Sequence, residues 1–252
     1  MAVPVPVPDP RCPASDVAPA AAHDAEFIRS RTTIAAPPLI PEITLYLSGD
    51  EPTALWEQTE RETGRGDLPP PFWAYPWAGG IALARYLLDH PERAIGRVVL
   101  DLASGSGLVA IAAARAGAAR VLASDIDPMA VAAIALNAAA NGVEVQVTDA
   151  DLLTGAAAAT ALLAGETSFP APDLVVVGDA CYERRLAHRM LAFLRQAQSA
   201  GASALLGDPG RTYLPATGLR ALGSYVIPAW PGLEDTEVKR TTVWQLDPSP
   251  GE

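Results

Sequence analysis

Several aspartates of this chain stand just past short apolar runs: Asp101, Asp125, Asp151, Asp179 and Asp208. Asp101-Leu102-Ala103-Ser104-Gly105-Ser106-Gly107 follows Val98-Val99-Leu100. Gly105 and Gly107 permit a tight turn and let the backbone approach a ligand closely. With Ala110 the run satisfies G-x-G-x-x-[GA]. Asp125 follows Gly105 by the roughly 20 residues at which an acid can accept hydrogen bonds from both hydroxyls of a ribose. A lone glycine motif is weak. Run, turn, helix, second run and acid together define a nucleoside-type site. Two ligands fit it. A dinucleotide would set its pyrophosphate at the helix N-terminus. S-adenosylmethionine carries a sulfonium and an ammonium instead. Asp101 repels a pyrophosphate and suits those cations, which favours S-adenosylmethionine. Ser104 in the turn and Ile126 beside Asp125 belong to the same candidate set. The competing role for Asp101 and Asp125 is helix capping. Asp151 is placed to accept from an adenine amino group or to serve as a loop acid, with Asp149 as its competitor.

Asp179-Ala180-Cys181-Tyr182 follows Leu174 to Val177. It is similar in place to the Asn/Asp-Pro-Pro-Tyr/Phe of amino methyltransferases acting on bases or glutamine, but lacks the prolines. A carboxylate and a phenol suit a flexible aliphatic cation. Asp179 would orient a lysine ammonium, and the Tyr182 face would hold its methylated forms by cation–π attraction. A lysine pKa of about 10.4 leaves little free amine at neutral pH. Desolvation and a nearby sulfonium both lower it. Methyl transfer is an in-line displacement, so positioning supplies most of the rate. The plain alternative for Tyr182 is a tyrosine on a helix face, and for Cys181 burial. Upstream, Pro71 to Gly80 (PFWAYPWAGG) is a dense aromatic and glycine cluster in which Trp77 points to cofactor contact. Trp73 and Tyr75 fit a hydrophobic lid equally well. Gly207-Asp208-Pro209-Gly210-Arg211 marks a turn in which Asp208 and Arg211 pair with each other or bind substrate. His23, His90 and His188 show no metal-ligand spacing. No Ser/His/Asp-type constellation is visible.

These residues need a scaffold that gathers strand ends. The pattern supplies one. Val98–Leu100, Val121–Ala123, Val143–Val147, Leu174–Val177 and Ala204–Leu206 read as strands. They alternate with helical stretches at Leu108–Ala116, Pro128–Ala140 and Arg184–Ala197. Ala156–Ala164 reads as a helix or a loosely packed insertion. Alternation of this kind predicts an α/β fold with a mainly parallel sheet and helices on both faces. Uniformly apolar strands belong where both faces are covered. Tyr225–Ile227 and Thr241–Leu246 fit a closing hairpin. Ligands of such sheets sit at the carboxyl ends of the strands, where strand order reverses. Residues 1–25, rich in Pro and Ala, read as a disordered tail. Residues 26–96 read as an N-terminal extension that covers the cofactor, and 97–248 as the main domain.

Composition sets the limits. The 252 residues are 50% hydrophobic and 19% charged, enough for a full core. A net charge of −11 disfavours nucleic acid as a partner. No stretch reaches the about 18 apolar residues of a membrane span. The prolines of the N-terminus interrupt any signal-peptide core. Two cysteines exclude a disulfide framework and fit a reducing compartment.

The segments PFWAYPWAGGIALARYLLDHP, VLDLASGSG, ASDIDPMA, LVVVGDACYE, LLGDPGR and TTVW together resemble the seven-β-strand lysine methyltransferases. Within them the chain is most similar to the enzymes acting on the β-subunit of electron-transfer flavoprotein and their bacterial relatives. The resemblance runs from about Ile40 to Leu246. It implies a Rossmann-like class I methyltransferase with a seven-stranded sheet, S-adenosylmethionine as donor and a protein lysine as acceptor. The family's cofactor positions fall on Asp101, Gly105, Gly107, Asp125 and Trp77, and its D-x-x-Y motif on Asp179 and Tyr182. The chain departs from the family at Ala103, where a glycine is usual. A cytoplasmic monomer is the expectation, with the acidity favouring a basic protein surface as substrate. A ribosomal protein or a nicotinamide-like small molecule is the alternative acceptor.

Overall fold

The computed structural model describes residues 17–49, 51–66, 68–228, 230 and 238–247. In chain order the elements are α1 (Val17–Arg31), β1 (Thr33–Ala35), β2 (Leu45–Leu47), α2 (Pro52–Thr63), α3 (Ala78–Asp89), β3 (Val98–Leu102), α4 (Leu108–Arg115), β4 (Arg120–Ser124), α5 (Pro128–Ala140), β5 (Gln146–Thr148), α6 (Ala156–Leu163), β6 (Leu174–Gly178), α7 (Arg184–Ser199), β7 (Ser203–Asp208), β8 (Leu219–Pro228) and β9 (Val238–Leu246). A single 3-10 turn, Phe72–Ala74, precedes α3.

The main sheet has seven strands in the order β5-β4-β3-β6-β7-β9-β8. β3 to β7 run parallel. β9 is antiparallel to both β7 and β8, so it alone is reversed and lies between them. Chain order reverses between β3 and β6, which opens a crevice at their carboxyl ends. Residues alternate between the faces as pleating requires. Val99, Val121, Val176 and Leu205 pack under α3 and α4. Leu100, Leu122, Val175 and Leu206 pack under α6 and α7. Cover on both faces explains why these strands carry almost no polar residue.

The helices start where the local chemistry satisfies free N–H groups. Asp127 caps α5 by accepting from Met129 N, with Pro128 at the first helical position. Glu183 caps α7 by accepting from Arg185 N and Leu186 N. Val143 N still bonds to Ala138 O behind α5, so the third strand begins at Gln146 rather than Val143.

The N-terminal extension has its own core. Phe27, Ile28, Leu55, Trp73 and Tyr75 pack against Met129 and Ala133 of α5. The expectation of a tail through residue 25 is corrected here: α1 begins at Val17, and Asp24, buried, pairs with Arg65. Residues 1–16 lie outside the described residues. Asn137, fully buried, ties the extension to the main sheet. Its Oδ1 accepts from Tyr46 N at 2.8 Å and its Nδ2 donates to Ser106 O at 2.8 Å, inside the glycine turn.

Candidate active site

A cavity of about 360 Å³ opens at the switch point. The ends of β3, β4 and β6 form its floor, and the segment from Pro69 to Trp77 covers it. It brings together Asp101, Ser104, Gly105, Asp125, Ile126, Asp179, Tyr182, Trp77 and Arg211 from the residues the sequence singles out.

Asp101 sits at the end of β3, 1% exposed. Its Oδ2 accepts from Ser104 Oγ at 2.6 Å and Ala110 N at 2.9 Å. Its Oδ1 is buried without a partner among the described residues. Burial raises its pKa to about 7, with the charge of Asp125 adding to the effect. A buried carboxylate oxygen with nothing to accept from is a socket for a cationic donor. Asp125 holds the glycine turn in place, accepting from Gly105 N at 2.8 Å and Asp127 N at 3.1 Å. Burial raises its pKa as well. Ile126 beside it is 66% exposed, an apolar face presented at the cavity rim. Ala103 lines the cavity with φ 54°, a left-handed backbone that costs a side-chain-bearing residue energy.

The far end of the cavity is aromatic and charged. Asp179 also has a left-handed backbone, φ 62°. Its Oδ2 accepts from Gly79 N at 2.9 Å, and its Oδ1 accepts from Arg211 Nε at 2.6 Å. The Arg211 guanidinium lies 5.9 Å from the centre of the Trp77 ring. Trp77 donates Nε1–H to Phe72 O, and Phe72 stands edge-on to both Trp77 and Tyr182 at 5.5 Å. Tyr182 is 46% exposed at the mouth. Partial burial in the cavity wall raises its pKa, as do the charges of Asp125, Glu183 and Asp179.

Some sequence expectations change. Arg211 does not pair with the Asp208 side chain. Asp208 instead accepts from the backbone N–H groups of Gly210 and Arg211, both at 2.7 Å, and does not line the cavity. Asp208 thus shapes the turn that aims Arg211 at Asp179. Asp151 is also outside the cavity lining; its carboxylate closes its own turn on Leu153 N, Thr154 N and Thr154 Oγ. Gly107 does not line the cavity either; it is the cap of α4, with φ 81°. Cys181 is buried, and burial with the charge of Asp208 pushes its thiol up to about 12, which keeps it unreactive.

Two features escape the sequence reading. Asp127 lines the cavity, and burial raises it to about 7. Its place after Asp125 and before Pro128 is the capping signal that marks it. The second is a glycine seam. A Cβ on Gly207 would lie 2.0 Å from Gly79 O, and one on Gly178 would lie 2.8 Å from Gly80 Cα. The first turn of α3 therefore lies directly on the ends of β6 and β7, which delivers Gly79 N to Asp179. The repeated Gly-Asp at both strand ends is the signal.

The strand order, the single reversed strand and the glycine turn at the switch point define a Rossmann-like methyltransferase. The donor of that class is S-adenosylmethionine, and the unpartnered Asp101 Oδ1 fits its ammonium. The chain belongs to the family of electron transfer flavoprotein beta subunit lysine methyltransferases. It is 36% identical over 219 residues to the Mus musculus member, covering 83% of this chain and 78% of that protein. It is 36% identical over 228 residues to the Xenopus laevis member, covering 88% and 86%. The family model of ribosomal protein L11 methyltransferase (PrmA) matches residues 83–164. Among solved structures, TrmN from Thermus thermophilus is similar over 76% of this chain and 53% of that one, at 24% identity and a TM-score of 0.44.

Proposed function

We propose that this enzyme methylates lysine side chains of the β-subunit of electron-transfer flavoprotein. The observation that carries this is the relatives' identity of 36% across 83–88% of the chain. That span includes the acceptor end with Asp179 and Tyr182, beyond the cofactor half. The likeness to the ribosomal protein L11 methyltransferase model stops at residue 164, before β6 begins. It therefore supports the donor half of the site and does not favour a ribosomal acceptor.

In this reading Asp101 holds the ammonium of S-adenosylmethionine, Asp125 its ribose hydroxyls, and Ile126 flanks its adenine. Gly105 gives the close backbone approach, and Ser104 keeps Asp101 in place. S-adenosylmethionine supplies an electrophilic methyl group. The acceptor end would have to present the lysine Nζ as a free amine in line with that methyl group, with the displaced proton leaving to water. Tyr182, Phe72 and Trp77 line the path of the lysine stem and exclude water from the reacting atoms. An open mouth at Tyr182 suits a side chain delivered by a protein rather than a small planar ring.

Incubation with labelled S-adenosylmethionine and purified flavoprotein tests the proposal. Label on β-subunit lysines supports it. Turnover of nicotinamide without protein labelling overturns it.

A further inference from the structure

The chain carries a net charge of −11, yet the helix that borders the cavity mouth is basic where it starts. α7 opens with Arg184, Arg185 and, one turn on, Arg189, all exposed. Leu186, between them, lines the cavity, and Tyr182 stands at its mouth two residues before the helix. This placement goes against local preference. The amino end of a helix favours acids and the carboxyl end favours bases. Behind its Glu183 cap, α7 has no acid in its first turn, and it has no base in its last. Arg185 and Arg189 also stand at i and i+4, where like charges repel. No ion pair relieves them: among the described residues none of the three arginines pairs with a carboxylate. The two acids whose charge reaches Arg185 or Arg189 are Glu183 and Asp151. Glu183 is engaged in capping the helix, and Asp151 in closing its own turn on Leu153 and Thr154. The neighbouring elements add no acid. α6, which meets α7 through Thr160 and Gln196, carries no charged residue. On the other side the Arg184 guanidinium lies 5.8 Å from the centre of the Tyr213 ring, and residues 209–218 hold no Asp or Glu.

We propose that the start of α7 is the docking face for the protein substrate, and that it takes an acidic segment lying beside the acceptor lysine. This rests on the reading of the enzyme as a protein-lysine methyltransferase. Proteins give up local preference where a surface serves a function. Guanidinium groups pair with carboxylates through two parallel N–H···O bonds, a geometry that lysine does not offer. Three arginines on a chain this acidic suit a short run of Asp and Glu rather than the backbone of a nucleic acid. At the rim of an interface such pairs govern encounter and register more than chemistry. They would therefore guide the lysine to the mouth at Tyr182 without touching the reacting atoms. The overall acidity of the chain favours a basic partner, and the sign is reversed at the one helix that borders the acceptor end.

The test is steady-state methylation of purified flavoprotein at low and at high ionic strength. For wild type, kcat/KM falls as salt rises, because screening weakens the attraction. Arg185→Glu combined with Arg189→Glu raises KM for the flavoprotein by about tenfold, leaves kcat nearly unchanged, and flattens or reverses the salt dependence. Arg93→Glu combined with Arg97→Glu makes an equal change of charge just before β3, at the amino end of the sheet, and leaves KM as in wild type. The fold is kept in the α7 variant, because a carboxylate at position 185 suits the helix dipole. Its thermal stability is equal to or above that of wild type, and it binds S-adenosylhomocysteine as wild type does. A KM within about twofold of wild type overturns the proposal. A KM that falls shows a basic partner surface and overturns it too, as does a rise matched by the pair of changes before β3. Wild type that labels no lysine of the flavoprotein removes the underlying functional reading instead, and the two failures are distinct.

Discussion

Arg211 and Asp179 form a close ion pair at 2.6 Å across the end of the cavity, and the same carboxylate receives the Gly79 N–H from the first turn of α3. One side chain therefore joins β6, the turn after β7 and α3. Breaking it has a structural cost as well as a chemical one. Asp179→Ala removes the acceptor of the Gly79 N–H and the carboxylate that Arg211 Nε bonds to. We expect a loss of about 3 kcal/mol in stability, read from chemical denaturation. Methyl transfer should fall by at least about 100-fold, since the acceptor end loses its geometry.

The donor end predicts a pH dependence. Burial raises Asp101 and Asp127 to about 7. An aspartate raised in the folded state holds a proton that the unfolded chain has already released. Between pH about 4 and 7 the native state thus binds more protons, and the contribution of these two groups to stability falls as pH rises through that window. An ammonium ligand needs Asp101 ionised. Calorimetric affinity for S-adenosylhomocysteine should drop up to about tenfold per pH unit below 7 and level off above it. Asp101→Asn should bind about 100-fold more weakly and lose that slope.

Backbone strain gives a prediction of opposite sign at two positions. Ala103 keeps φ 54° where a glycine would be relaxed. Ala103→Gly should stabilise the protein by about 1 kcal/mol and leave the cavity open. Gly207→Ala would place a Cβ 2.0 Å from Gly79 O and 2.9 Å from Leu83 Cβ. It should cost about 3 kcal/mol or more, because backbone must shift on both sides of the seam. Thermal unfolding of both variants beside wild type checks the pair.

Asn137 is buried in α5, yet it bonds the strand β2 and the glycine turn at once. Asn137→Ala leaves Tyr46 N–H and Ser106 C=O without these partners. The expected loss is about 2 to 3 kcal/mol. Affinity for S-adenosylhomocysteine should fall with it, since the turn carrying Gly105 loosens.

The donor half was readable from residues because its chemistry is local. Asp101, the glycine turn and Asp125 lie on consecutive strand–turn–helix units, and their spacing carries the geometry. The acceptor half depends on distant partners. Asp179 meets Gly79 across 100 positions of sequence and Arg211 across 32. No short-range pattern separates Arg211 pairing with Asp179 from Arg211 pairing with Asp208. The adjacent acid was the natural choice, and the backbone N–H groups of its own turn claimed it first. Asp151 shows a similar ambiguity: an acid after a strand can serve a ligand or close its own turn, and its carboxylate bonds Thr154 and Leu153. The stretch around Asp24 read as tail because Ala and Pro dominate it, while its partner Arg65 lies on the far side of α2.

The most direct measurement is mass spectrometry of purified electron-transfer flavoprotein after incubation with this enzyme and S-adenosylmethionine. The account predicts methyl groups on lysine side chains of the β-subunit, absent when Asp101→Asn replaces the wild type. Unmodified lysines throughout, from an enzyme shown to bind S-adenosylhomocysteine, would contradict it.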